Sequence, residues 1–323
     1  MIARGSAGDG GTSRLQIRRR NAYLARMSQS PKHDTHVPSR VFPAARTDAE
    51  QAKTGVSTPQ TETPAYRLAF QDMDFLLRED LRPIRFQLEL LKPQLIMDEA
   101  NIASTFVMYG SARIPEPAKA QALLDLAHAA EGDREQAIRI AENLVTKSRY
   151  YDVARELGQL ASGFPVDTEG KRHFVVCSGG GPSIMEAANR GAADVGHESI
   201  GLNIVLPHEQ APNPYVTPSL SMQFHYFALR KMHFLLHARA LAAFPGGFGT
   251  FDELFELLTL IQTGKIAPIP VLLYGREFWN RVVNFDALVE EGVVSAKDLS
   301  IFTFVETAQE GWDVVQDFYR DRD

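Results

Sequence analysis

The chain holds a single cysteine, Cys177. That excludes an intramolecular disulfide and leaves no cysteine cluster for a structural zinc or an iron–sulfur centre. No apolar run approaches the ~18 residues that a membrane-spanning helix needs. Acidic residues are nearly missing from the first thirty positions, where Arg4, Arg14, Arg18, Arg19, Arg20 and Arg26 face only Asp9. The remaining chain is correspondingly short of positive charge: the total is −6 and the head carries +5, so the body carries −11. An acidic body speaks against a broad nucleic-acid surface, because phosphate neutralisation needs clustered Lys and Arg. Hydrophobic residues at 44% and charged residues at 23% fit a soluble globular chain rather than a fibrous or wholly disordered one. These features together predict a reducing, cytoplasmic compartment.

The basic head lacks the apolar core of a secretory signal. It reads as a disordered tail, with a transit peptide or a nucleic-acid arm as alternatives, and Met27 is an alternative start. From Ser28 to Pro64 the sequence is rich in Pro, Thr, Ser, Gln and Lys and poor in large apolar residues, too little to offset its ordering entropy. Residues 1–65 are therefore expected to be disordered, and 66–323 to form one large α/β domain. It should open with a helical preamble over Tyr66 to Leu95, interrupted near Pro83.

Beyond the preamble, short apolar runs alternate with amphipathic stretches. Strands are predicted at Ser104 to Tyr109, His173 to Ser178, Ser199 to Val205, Arg239 to Phe244 and Pro268 to Tyr274. Most are followed by a Gly- or Pro-bearing turn and helical periodicity, the pattern of βαβ units and a mainly parallel sheet. A ligand should then sit outside the carboxyl ends of the strands. Residues 118–162 read as a helical insertion of two helices with a break at Gly132-Asp133, one of them extra to a minimal crossover.

Three strand ends carry unusual residues. YGSAR, Tyr109 to Arg113, sets the backbone of Gly110 and Ser111, a hydroxyl and a guanidinium in one turn. SGGGPSIMEAANRGA, Ser178 to Ala192, leaves a strand through Gly179, Gly180 and Gly181, with Pro182 suited to a first helical position. Such a turn offers orphan N–H groups to an anion; the alternative is a tight turn whose glycines only solve sterics. It is neither a G-x-G-x-x-G fingerprint nor a Walker A loop. PGGFGTFDE, Pro245 to Glu253, lets Gly246, Gly247 and Gly249 approach a ligand closely while Thr250 opens a helix. Thr250 to Glu253 also matches the S/T-x-x-E capping box, in which Glu253 would only reach back to the Thr250 N–H. Upstream, FHYFALRKMHFLLHARALAAF places Arg230 and Lys231 on an amphipathic helix, where such a pair is commonly a solvated face. His233 and His237 could share a helix face as metal ligands, but no third ligand falls in the pattern, and no metal is expected.

The combination of SGGGPSIMEAANRGA, GLNIVLPHEQAPNPY, an Arg-Lys pair ahead of Pro245, and PGGFGTFDELFELLTLIQTGKI resembles the LOG (Lonely Guy) family, in particular its longer bacterial members. That family also carries the label "lysine decarboxylase family". The similarity runs over roughly residues 66–323. It implies a Rossmann-like α/β fold, a mainly parallel sheet flanked by helices, and a phosphoribohydrolase that cleaves the N-glycosidic bond of a nucleoside 5′-monophosphate to free base and ribose 5-phosphate. AMP, or an N6-modified AMP such as a cytokinin riboside 5′-monophosphate, is the implied substrate. The resemblance places the catalytic arginine on Arg230 and the catalytic glutamate on Glu253. It assigns substrate binding to Gly110, Ser111, Gly180, Gly181, Met185, Glu209, Lys231, Gly246, Gly247, Phe248, Gly249, Thr250 and Thr259.

Two departures stand out: Ser183 replaces the glycine of many relatives, and the helical insertion is absent from short plant-type members. No cofactor, membrane or nucleic-acid partner is expected, and a homo-oligomer is, through an apolar face in the Tyr66 to Leu95 region. The chemistry suits the implied reaction, since an oxocarbenium-like ribosyl species calls for a carboxylate near the sugar and a cationic group near the departing base. A true lysine decarboxylase would need pyridoxal phosphate on a lysine such as Lys231 or Lys265, with a pyridinium partner that the sequence does not mark. A nucleotide- or cofactor-carrier module on the same fold is the non-enzymatic alternative.

Overall fold

Short, continuous apolar runs such as Phe106 to Tyr109 are best satisfied by a strand covered on both faces. In the computed structural model, which describes residues 42–132, 134–207 and 211–320, they form a seven-stranded sheet. Its strands are β1 (Thr105–Tyr109), β2 (Val175–Ser178), β3 (Ile200–Ile204), β4 (Ser221–Phe224), β5 (Ala238–Ala243), β6 (Val271–Tyr274) and β7 (Thr303–Val305). The order is β4-β3-β2-β1-β5-β6-β7, and every neighbouring pair is parallel.

Alternate side chains of each strand enter opposite cores. Val107, Tyr109, Val175 and Cys177 belong to one, and Phe106, Met108 and Val176 to the other. Each large apolar side chain so buried contributes about 1.5–3 kcal/mol. Strand order reverses between β1 and β5, so their carboxyl ends splay their connections to opposite sides and open a crevice, the usual ligand site of an open parallel sheet.

Two strands lie outside the sequence expectation. The edge strands β4 and β7 have four and three residues, too short for a period-2 signal to stand out. The stretch read as one helix from Phe224 is divided: Phe224 ends β4, and the helix begins at Phe227.

The chain separates into two units, dividing between Leu77 and Arg78, further along than the expected boundary at 65/66. In the first, residues from 42 onward carry local structure without a buried core: α1 (Ala45–Gln51) and α2 (Met73–Leu76), the latter capped by Asp72, which accepts from the Phe75 N–H at 3.2 Å. The segment expected to be disordered thus meets defined turns from residue 42; residues 1–41, with the arginine-rich head, lie outside the described residues.

The second unit opens with α3 (Arg82–Glu99). Pro83 does not interrupt it but sits in its first turn, where a missing N–H costs nothing. The insertion forms α4 (Pro117–Ala129) and α5 (Glu135–Ser162). Tyr150, Tyr151, Ala154, Leu157 and Ala161 bury the carboxyl half of α5 in the core, so α5 is the crossover to β2 and α4 the extra helix. The remaining helices are α6 (Ile184–Asp194), α7 (Phe227–Leu236), α8 (Phe248–Gln262), α9 (Arg276–Val282), α10 (Phe285–Glu290) and α11 (Ala308–Arg320). No helix among the described residues is long and apolar enough to cross a membrane.

Candidate active site

The crevice at the β1/β5 switch point is a cavity of about 840 Å³. The end of β1 supplies Tyr109, Gly110 and Ser111, the β2–α6 turn Gly179 and Met185, α7 Phe227 and Arg230, and the start of α8 Gly247 to Glu253.

Helix α8 begins at Phe248 with Gly247 as its N-cap, and no side chain caps it. The first intrahelical bond closes from the Phe251 N–H to the Gly247 carbonyl at 3.1 Å. The N–H groups of Phe248, Gly249 and Thr250 are therefore the orphans of the first turn, at the mouth of the cavity, with no acidic side chain in that turn to repel an anion. This start rules out the capping-box reading. Thr250 lies inside the helix rather than at its N-cap, so Glu253 has no cap N–H to reach back to.

Glu253 is 8% exposed, and its carboxylate has no hydrogen-bond or ion-pair partner among the described residues. Burial raises its pKa to about 7, against the opposing pull of the Arg230 and Lys231 cations.

Arg230 is held from three sides. Its Nε donates to the Leu202 carbonyl in the middle of β3 at 2.8 Å, and its guanidinium lies over the Phe234 ring at 5.2 Å. A Cβ at Gly179 would come within 2.8 Å of its Nη2, so that glycine makes room for the guanidinium. Burial lowers the Arg230 pKa while Glu253 raises it, yet the two groups form no direct ion pair and remain poised across the cavity.

The helix carrying Arg230 is itself anchored by a residue that periodicity alone would call surface. The Glu89 carboxylate of α3 accepts from the backbone N–H groups of His225 and Tyr226, at 2.8 and 3.2 Å, just ahead of α7. The Glu89 carbonyl also engages His233 Nε2 at 3.1 Å, and His237 Nε2 contacts Gln94 Oε1 at 2.9 Å, so these histidines serve helix packing.

Of the predicted site residues, Gly110, Ser111, Met185, Arg230, Gly247, Phe248, Gly249, Thr250 and Glu253 line this one cavity. Lys231 does not: it projects from α7 to Asp252 (2.8 Å) and Glu256 (3.1 Å) and ties α7 to α8. Thr259 is exposed further along α8, its hydroxyl donating to the Phe255 carbonyl. Gly180 and Gly181 do not line the cavity. Gly180 has φ +70°, and a Cβ there would collide with the Asn203 side chain.

A buried polar web holds this turn: the Gly180 N–H donates to Ser178 Oγ, Ser178 Oγ to Asn189 Oδ1, and Asn213 Nδ2 to both Asn189 Oδ1 and the Gly181 carbonyl. Asn213, from the loop after β3, escaped sequence reasoning because its partners are 24 and 32 residues away. Gly246 faces a neighbouring cavity, and Glu209 lies outside the described residues. Pro182 precedes the helix rather than opening it. The N-cap of α6 is Ser183, at φ +64°, its hydroxyl donating to the Ala112 carbonyl at 3.0 Å. Tyr109, Phe227 and Val282 also line the walls, none of them assigned a role from the sequence.

A family profile described as "Possible lysine decarboxylase" matches residues 185–315. Cytokinin riboside 5′-monophosphate phosphoribohydrolase LOG3 of Arabidopsis thaliana is 31% identical over 168 residues, covering 51% of this chain and 73% of that relative. The pyrimidine/purine nucleotide 5′-monophosphate nucleosidase of Escherichia coli (strain K12) is 33% identical over 117 residues, 33% of this chain and 25% of that one. Among solved structures, the X-ray structure of TM1055 aligns with TM-score 0.40 and 19% identity, covering 66% of this chain and 99% of the other. With the profile match and these relatives, the chain belongs to the LOG family.

Proposed function

We propose that the protein hydrolyses the N-glycosidic bond of a nucleoside 5′-monophosphate, AMP or an N6-modified AMP, releasing free base and ribose 5-phosphate. The observation that carries this reading is the unpaired, buried Glu253 carboxylate facing Arg230 in a cavity whose mouth presents the open N–H groups of α8.

In this reading the 5′-phosphate binds the N–H groups of Phe248, Gly249 and Thr250, favoured by the helix dipole. The sugar then lies over Glu253, which as a carboxylate orients a ribose hydroxyl or activates the attacking water as the oxocarbenium-like species forms. Arg230 stabilises the negative charge developing on the departing base. Its fixed Nε–Leu202 bond keeps the guanidinium pre-organised, so little reorganisation is needed during reaction. The exposed rings of Phe227 and Phe248 provide apolar walls for the base. The phosphate supplies binding energy remote from the bond that breaks, so a monophosphate should outperform the bare nucleoside. Lys231, fixed to Asp252 and Glu256, acts on α8 rather than on the substrate.

We also carry forward a homo-oligomer joined through the exposed apolar stripe of α3, and a cytoplasmic location, where nucleoside monophosphates are available. Incubating the purified protein with a panel of nucleoside 5′-monophosphates, including N6-isopentenyl AMP, and separating free base by chromatography tests the activity. Base release by the wild type, lost in Arg230→Ala and Glu253→Ala, is the expected outcome. Nucleotide binding without release from any member of the panel would instead make the protein a carrier module.

A further inference from the structure

A second cavity, of about 580 Å³, adjoins the first, and Ser111, Arg113, Gly247 and Val282 line both. Pro245 to Gly247 line its floor; one wall is the middle of α5, from Ile140 to Tyr150, and the other is α9. Four cationic side chains line it, Arg113, Lys147, Arg149 and Arg281, against one carboxylate, Glu277. Arg149 is committed to Glu306 and to the Tyr150 hydroxyl, at 3.2 and 2.8 Å. Arg113, Lys147 and Arg281 have no ion-pair partner among the described residues. Three cations without an ion-pair contact and a single carboxylate around one concave space, in a chain whose net charge is −6, call for an anion of more than one charge. Burial first and then the nearby Arg281 lower the Lys147 pKa, and Glu277 offsets them only in part, so an anion placed between the two cations would relieve a repulsion already present.

The geometry points to a polyphosphate-binding annexe: the second cavity takes the β- and γ-phosphates of a nucleoside 5′-triphosphate whose α-phosphate lies at the start of α8. The inference rests on the nucleotide reading of the first cavity. The phosphate chain passes Gly247 and Arg113, which belong to both spaces, and ends between Lys147 and Arg281. The triphosphate is thereby a tighter ligand than the monophosphate and competes with it, so turnover falls when triphosphate is abundant. Lys147 comes from α5, the crossover helix to β2, and Arg281 from α9, so the annexe is framed by two elements that do not carry the first cavity's catalytic pair.

The test is calorimetric titration of the full chain, in EDTA, with AMP, ATP and inorganic tripolyphosphate. Wild type should bind ATP at least about tenfold more tightly than AMP, as two or more charge-assisted contacts allow. Lys147→Ala/Arg281→Ala should bring the two nucleotides to near parity while leaving AMP affinity and AMP turnover unchanged; Glu277→Gln should widen the gap. ATP binding no tighter than AMP in wild type, or a gap that survives the double variant, overturns the inference. Tripolyphosphate binding alongside saturating AMP without competition from ATP also overturns it, since the annexe would then serve a free polyphosphate. If AMP binds nowhere, the nucleotide reading of the first cavity fails by itself. Tripolyphosphate affinity that is lost in the double variant would then still support the annexe, and affinity indifferent to it would sink that too.

Discussion

At the residue scale, the raised pKa of Glu253 is a statement about both rate and stability. Burial lifts the folded-state value from 4.5 to about 7, so between these values the folded chain holds a proton that the unfolded chain has released. Stability from this group is complete below about pH 4.5 and declines as pH rises through 7, by an amount on the order of 3 kcal/mol. Glu253→Gln, which cannot ionise, should therefore melt above wild type at pH 8 and close to it at pH 5. In the same variant kcat should fall by about 10²-fold or more, and the acidic limb of the kcat/KM profile near pH 7 should vanish. A variant that keeps turnover would remove Glu253 from the chemistry.

Ser183 makes a second residue-scale case. Its φ of +64° and ψ of −122° suit the first central residue of a type II′ turn, a conformation that glycine adopts freely. Serine holds it with one hydrogen bond, to the Ala112 carbonyl. Ser183→Gly relieves strain of about 1–3 kcal/mol and loses that bond, whereas Ser183→Ala loses the bond and keeps the strain. Thermal melts should rank the glycine variant above the alanine variant, and the reverse order would mean the turn is not strained.

At the scale of elements, the site is a meeting of helix starts at the carboxyl ends of the central strands β1 and β5. Helix α8 contributes an uncapped amino terminus, and α7 contributes Arg230 only because its own start is fixed from α3. Glu89 is thus a positioning residue: it accepts from the backbone N–H groups of His225 and Tyr226, five and four residues before Arg230, in the segment that leads into α7. Glu89→Ala leaves those donors without an acceptor and should cost about 1–3 kcal/mol in denaturant unfolding. It should also lower kcat more than it raises KM, because Arg230 drifts while the phosphate site on α8 stays intact. Glu89→Gln keeps an acceptor oxygen and should recover most of both losses. Equal effects on kcat and KM, or none, would reduce Glu89 to a helix-packing role.

At the scale of the whole molecule, the second unit leaves a stripe of Ile84, Leu88, Leu91 and Leu95 between 41% and 55% exposed along α3. Their spacing puts them on one helical face, and exposed contiguous apolar surface of this kind marks an interaction site. Light scattering coupled to gel filtration should give a mass at least twice the 35.9 kDa of the chain. Leu88→Glu/Leu91→Glu should return it to the monomer. A monomeric wild type would leave the stripe without its proposed role.

Sequence alone determined the class of the fold, because short, largely apolar runs alternating with helical periodicity have few solutions other than a covered parallel sheet. It also singled out Arg230, Glu253 and the glycine turns by local chemistry and by family resemblance. What local pattern could not carry, tertiary structure decided. Whether Glu253 caps a helix or faces a cavity depended on the N-cap of α8 falling at Gly247 rather than at Thr250, a difference of three residues. Gly179 and Gly180 looked like equal parts of a phosphate loop, yet one makes room for a guanidinium 51 positions away and the other holds a turn against Asn203. The edge strands β4 and β7 are too short to show a period, and the roles of Glu89 and Asn213 exist only through partners distant in sequence. Backbone propensity and side-chain period act over a few neighbouring residues, whereas burial, electrostatic environment and hydrogen-bond closure are set by whichever elements the fold brings together.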